Sequence, residues 1–165
     1  MLNNFSLRQS DFNLKILITA FLILLTFGYS IGLLLVEHKT ALTPSGITEE
    51  YKGTNEDSQA EVIKYSRSKN EMYIFLHNHI TSLSVIFFVI GFIFYFSSIA
   101  SNQLKTFLIL EPFMSIAITF SGIWLLWETS QLFSWLVLIS GILMGLSYAA
   151  MVILILIELW IPKRK

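Results

Sequence analysis

The residues able to do chemistry in this chain are few, and most gather in two short stretches. The three histidines are His38, His77 and His79, with Glu37 and Glu71 beside them in sequence. Two imidazoles at similar depth on facing helices can ligate a haem iron axially, given a haem-wide gap between them. Imidazole with carboxylate can hold a divalent metal, which makes His77, His79 and Glu128 a candidate ligand set. Histidine titrates near neutral pH, so the same residues could instead handle protons. The plain alternative is a polar rim that closes apolar spans. On a helix, residues two apart point about 200° from one another, so His77 and His79 share one ion only from an extended turn.

A second candidate is Glu111, followed directly by Pro112 and set inside an apolar run. An ionisable group at membrane depth is costly and marks a functional site by default. Proline removes a helical amide and kinks the helix. Glu111 could also reach the interface, pair with Lys15, or stay protonated. Glu158, close to Trp160 and Lys163, reads as an interfacial carboxylate.

Much chemistry is excluded. The chain has no cysteine. That removes thiol–disulfide exchange, covalent c-type haem, iron–sulfur ligation and thiolate zinc. A haem b held by histidine, a divalent metal, or a bound quinone is what redox chemistry could still use. With all histidines expected at one end, at most one bis-histidine haem fits in one chain. Met114, Met144 and Met151 read as packing residues rather than ligands. No Gly-rich phosphate loop, HExxH pair or Gly-x-Ser-x-Gly elbow is present. Net charge is zero and no basic tract exists, so nucleic acid is set aside as a partner.

These residues must be positioned by four apolar runs, at 16–36, 74–98, 106–127 and 132–161. Each has about the 20 residues needed to cross roughly 30 Å of hydrocarbon as a helix. The 165 residues are 55% hydrophobic and 13% charged, which suits one bilayer-embedded domain over 1–165. The expectation is an all-α integral membrane protein, an antiparallel four-helix transmembrane bundle with one extracytoplasmic loop at 37–73. Ser30-Ile31-Gly32 resembles a signal cleavage site, but apolar residues run on to Val36, so the first run reads as an uncleaved span. Within the loop, 43–46 reads as a turn, 47–52 as a short helix, and 58–73 as helix leading into the second span. The short links 99–105 and 128–131 predict an up-down series.

Basic residues near span ends orient the bundle. Arg8, Lys15, Lys105, Lys163, Arg164 and Lys165 fall on one side, which predicts both termini in the cytoplasm of a cell whose inner membrane the chain crosses several times. Trp124, Trp127 and Trp135 then mark the outer interface and Trp160 the inner one. Gly28-x-x-x-Gly32 and Gly141-x-x-x-Gly145-x-x-x-Ala149 offer small faces for helix contact, read here as contact within the bundle rather than between copies. On the second span, His77, Thr81, Ser84, Phe88, Gly91 and Tyr95 fall on one line, read as interior. The opposite line, His79, Leu83, Ile86, Ile90 and Ile93, is read as facing lipid.

Residues 32–98 resemble an uncharacterised family of bacterial four-span membrane proteins. The matching motifs are Thr40 to Gly46, Tyr51-Lys52-Gly53, Glu71-Met72, and His77-Asn78-His79 opening an aromatic-rich span. The resemblance implies a link to bacterial respiratory or cytochrome-containing membrane systems and names no reaction. The leading expectation is an integral membrane subunit or scaffold whose outer-end His38, His77 and His79 hold a haem b or metal ion. Its partners would be the lipid bilayer and other membrane or periplasmic proteins. The alternatives are a quinone-linked redox subunit and a transporter or channel component using Glu111.

Overall fold

Most of the helices begin where a short polar side chain takes up the first free amides. In the computed structural model, which describes residues 6–54 and 63–161, Asp11 caps α1 (Phe12–Thr40) and Thr43 caps α2 (Pro44–Lys52). Ser68 caps α3 (Lys69–Tyr95) and Ser101 caps α4 (Asn102–Glu128). Each of the four accepts from the amide three residues on, the usual N-cap geometry. Ser68 and Glu71 complete a reciprocal capping box. α5 (Phe133–Trp160) starts without a side-chain cap, and a 3-10 turn, Leu7–Gln9, precedes α1.

The protein is all-helical among the described residues, and α1, α3, α4 and α5 are long and apolar enough to cross a bilayer. The helix predicted over 58–73 is not continuous. Residues 63–68 are non-helical and 55–62 lie outside the described residues. The reason is local: Thr54 and Lys64 pair through their backbones, Arg67 N–H donates to Tyr51 O, and the Ser68 cap starts α3 only at Lys69.

Cross-chain bonds fix the up-down order. At one end, here the loop end, Trp127 Nε1 donates to Arg67 O at 3.0 Å and Lys52 Nζ to Thr129 O at 3.0 Å. At the opposite, terminal end, Lys105 Nζ donates to Tyr95 O at 3.2 Å and Trp160 Nε1 to Thr19 Oγ1 at 3.0 Å. Neighbouring spans in sequence therefore run antiparallel.

The packed centre is α4 against α5, with α3 laid on both. Hydrophobic burial cannot drive this association inside lipid, so close packing and hydrogen bonds must. Thr119 Oγ1 and Ser140 Oγ are 2.6 Å apart and buried. A β-carbon on Gly122 would sit 3.0 Å from Val137, so the two helices nearly touch there. Along α5 the buried residues Val137, Ser140, Met144, Ser147, Met151, Ile155 and Glu158 follow a three-and-four spacing, one continuous stripe.

The buried face of α3 is turned by about 100° from the expected one. Met72, Phe87, Ile90, Gly91 and Phe94 are buried, while His77, Thr81, Phe88 and Tyr95 are exposed. Gly91 is the member of the expected interior line that does lie inside, facing Ile109. The physical reason is that lipid and bundle interior are equally apolar. Phe87, Ile90 and Phe94 then fill the interior while Phe88, Phe92 and Tyr95 face outward.

The glycine expectation also changes. A β-carbon on Gly28, Gly32 or Gly141 would meet nothing within 4 Å, so these small faces are not used inside the bundle. α1 packs sparsely: its only buried residues are Ile18, Leu22 and Thr40, and 11% of its most apolar window is buried against 44% for α4 and α5.

Candidate functional site

The loop end is a tight polar cap built around Arg67. Its guanidinium lies 5.0 Å from the Tyr51 ring centroid and 4.9 Å from that of Phe75, and pairs with Glu50. Lys39 reaches the same carboxylate at 3.2 Å. Burial pushes the Tyr51 hydroxyl up to about 12, with the Arg67 charge opposing and Glu50 adding to the rise. Gly53 holds φ +88°, and a β-carbon there would lie 2.8 Å from Ser66 N. One on Gly46 would lie 2.0 Å from Thr40 O. So Tyr51-Lys52-Gly53, Thr40 to Gly46, and Glu71-Met72 all have structural work: a ring under Arg67, a lysine on the end of α4, two close backbone approaches, a capping box and a fully buried methionine.

His77-Asn78-His79 has no such explanation. His77 and His38 are exposed at the loop end, at the near ends of α3 and α1. The His79 ring lies 4.2 Å from that of Phe75 and 5.9 Å from that of Phe120. His79 Nδ1 is 2.9 Å from Phe75 O. A carbonyl only accepts, so the proton is assigned to Nδ1 and Nε2 is the nitrogen open to a ligand. His79 therefore turns toward α4 and His77 away from it. Glu128 and Glu37 are exposed. Among the described residues no three of His, Asp and Glu come together as a metal-holding group, so His77, His79 and Glu128 are not assembled into one. The grooves that stand out lie elsewhere: one of about 190 Å³ between Gly91, Tyr95, Ile109 and Phe113, and an open one at 102–107.

Glu111 takes a definite position. Ser115 Oγ donates to Glu111 Oε1, while Oε2 is buried with no hydrogen-bond partner. The carboxyl thus bonds one turn deeper into the helix rather than reaching back toward the terminal end. It makes no ion pair with Lys15; the ion pairs among the described residues are Lys39–Glu50 and Arg67–Glu50. Near it, Tyr29 of α1 lies flat on Tyr148 of α5, ring centroids 4.0 Å apart, and Tyr148 and Thr26 hydroxyls are 3.0 Å apart.

Glu158 is fully buried within the protein, near the end of α5. It accepts from Ser98 N–H at 2.7 and 2.9 Å, from Ser98 Oγ at 2.6 Å, and from the Ser97 hydroxyl. Ser6 Oγ adds a longer contact at 3.4 Å. A carboxylate surrounded by donors can stay inside, because its lost hydration is replaced. It joins the end of α5 to the α3–α4 link and to the segment before α1. The signal was available in sequence: Glu158 continues the Ser147, Met151, Ile155 stripe.

A family model described as a transmembrane helical domain, Aq_1264_TM, matches residues 41–165. No curated protein and no solved structure matches the chain. The match begins at the residue after α1, so His77, His79, Glu111, Glu128 and Glu158 lie within it and His38 outside it.

Proposed function

The chain belongs to this transmembrane helical domain family, and from that premise we propose that it is a non-catalytic subunit of a bacterial inner-membrane assembly. Its α2–α5 unit is the body, and α1 docks a transmembrane helix of a partner membrane protein. The observation that carries this reading is the packing of α1. The helix is apolar enough to span, yet beyond Ile18, Leu22, the Thr26 and Tyr29 contacts with Tyr148 and its loop-end turn it meets little of the bundle, and it leaves Gly28 and Gly32 open. Small residues four apart are where another backbone can come close in lipid. The family match stops short of α1, which supports an added role for that helix. The termini would lie in the cytoplasm and the Arg67 cap outside, following the basic residues near the span ends. His38 and His77 are exposed at the loop end, so a haem or metal ion there would be shared with the partner rather than enclosed by one chain.

The absence of cysteine makes the test clean. Single cysteines replacing Leu22, Leu24, Gly28, Ile31 or Gly32 are alkylated with benzophenone maleimide and photolysed in native membranes, so that the ketone inserts into a C–H bond of whatever lies against that position. Cross-links to a distinct membrane protein are expected at Gly28 and Gly32 and not at the buried Leu22. Cross-links only between copies of this chain would replace the partner with a dimer. No cross-link from any position would remove the reading.

A further inference from the structure

We propose that α3 is the contact helix of a parallel dimer of this chain, paired through a seam on its outward face. The seam lies on a different helix from the docking face of α1, so the two readings stand or fall separately. Ile74, Asn78, Thr81, Val85, Phe88 and Phe92 recur at alternating steps of four and three. That is the a/d spacing of a two-stranded coiled coil, with Asn78, Val85 and Phe92 at a and the other three at d. All six are exposed. At 100° per residue they lie about 160° round the helix from the face that packs on the bundle. The residues that do pack, Met72, Phe87, Ile90 and Phe94, fall at the b, c and f positions of the same heptads.

The seam carries polar groups that the chain itself leaves unmet. α3 has 27 residues, about 40 Å of helix against about 30 Å of hydrocarbon. Centred in that layer, Asn78 lies about 8 Å inside it and Thr81 about 13 Å. Among the described residues, neither side chain finds a hydrogen-bond partner. Thr19, Ser30, Thr40 and Ser140 of the other spans all bond back to the carbonyl four residues earlier. A primary amide facing hydrocarbon without a partner costs free energy. Its C=O accepts and its NH2 donates, so the same amide on a second copy satisfies it. Asparagine at an a position also fixes the register of two parallel helices. Copies inserted in one orientation are already parallel, and a two-fold axis along the membrane normal sets each seam residue against its own counterpart.

A hole for the partner is already formed. A knob at an a position enters a space bounded by four residues of the facing helix. For Phe92 those four are Phe88, Gly91, Phe92 and Tyr95, and they line the groove of about 190 Å³ that α3 makes with Ile109 and Phe113 of α4. A β-carbon on Gly91 would stand 3.8 Å from Ile109, so any longer side chain would fill the floor that the glycine leaves open. The Phe88 and Phe92 rings lie nearly parallel, centroids 6.4 Å apart, on the rim of that hole. The Phe92 ring of the second copy is the group this groove takes.

The cysteine-free full-length chain receives single cysteines and is oxidised in native membranes with copper phenanthroline, which takes one electron from each of two thiols to leave a disulfide. Thr81→Cys and Val85→Cys should give disulfide-linked dimers. Ile80→Cys, off the seam, and Met114→Cys, on α4, replace residues just as exposed to lipid and should not. Full-length copies carrying donor or acceptor dyes at Ser45→Cys, in phosphatidylcholine vesicles, should show energy transfer that falls as lipid is added. Asn78→Leu should raise the dissociation constant about three- to thirtyfold, the range for one polar contact between helices in lipid, and Phe92→Ala should raise it as well. Equal disulfide yield at all four positions would mean random collision. Transfer that Asn78→Leu and Phe92→Ala both leave unchanged would put the contact on another face, and no transfer at any dilution would mean a monomer. Each of these three results overturns the proposal.

Discussion

Gly53 carries two residue-scale constraints at once, one of backbone conformation and one of space. Its φ of +88° is one that side-chain-bearing residues rarely adopt, and a β-carbon would be 2.8 Å from Ser66 N. Gly53→Ala must therefore both strain the backbone and push the 64–66 segment away from α2. A loss of about 1–3 kcal/mol is expected, read as a lower midpoint of thermal unfolding in detergent. The far-UV helix signal should be unchanged, because the spans do not depend on this turn. If Gly53→Ala proved as stable as the parent, the Arg67 cap would be dispensable. The same residue shows what was legible in the sequence. A glycine after Tyr-Lys marks a break, and a break was expected there. That Tyr51 would lie under Arg67, sixteen positions on, was not legible, since nothing local encodes a cation over a ring. Nor were the donors that surround Glu158, although its place in the α5 stripe marked it as facing the bundle.

At the scale of elements, hydropathy located the spans and said little about their faces. Length and apolarity are set by the bilayer, so 16–36 and its three successors map onto α1, α3, α4 and α5 with ends shifted by a few residues. Which face turns inward depends on volume and small-residue spacing, where polarity is a poor guide. On α3 the polar line His77, Thr81, Ser84 suggested the interior, and the interior proved to be Phe87, Ile90 and Phe94. The α4–α5 contact shows the rule that governs instead. Thr119 and Ser140 bond across it, but Ser140 Oγ is also 2.7 Å from Leu136 O and keeps that acceptor if Thr119 is lost. Thr119→Val should then cost about 0.6 kcal/mol, the usual value for such a bond in lipid. Gly122→Leu forces bulk into a gap that already holds Val137 at 3.0 Å from the β-carbon position, and should cost about 1–3 kcal/mol. Steric-trapping measurements of both variants in bicelles give the order. A larger loss for Thr119→Val would mean that the hydrogen bond, not the close approach, holds the pair.

For the whole molecule, two features divide the chain at the same place. The dense packing lies in α2–α5, and the family match covers 41–165. α1 stands apart by both measures, held at the terminal end by Phe12 against Trp160 and by the Trp160–Thr19 bond, and at the loop end by the Lys39–Glu50 pair. Both ends of α1 are therefore pinned to opposite ends of the bundle, which requires the loop cap and the 3-10 turn to lie on opposite faces of the bilayer. Basic residues near the terminal ends of the spans predict the cap outside. A cysteine-free parent allows this to be read directly in intact cells or right-side-out vesicles. Ser45→Cys, on α2, should react with a membrane-impermeant maleimide, while Gln103→Cys, at the start of α4, should react only after the membrane is opened. The reverse pattern would keep the fold and invert the orientation, placing His38 and His77 in the cytoplasm and removing the partners proposed for them. Reaction of both positions from one side would contradict the four-span arrangement itself, because α4 alone separates the two ends by 27 helical residues, about 40 Å.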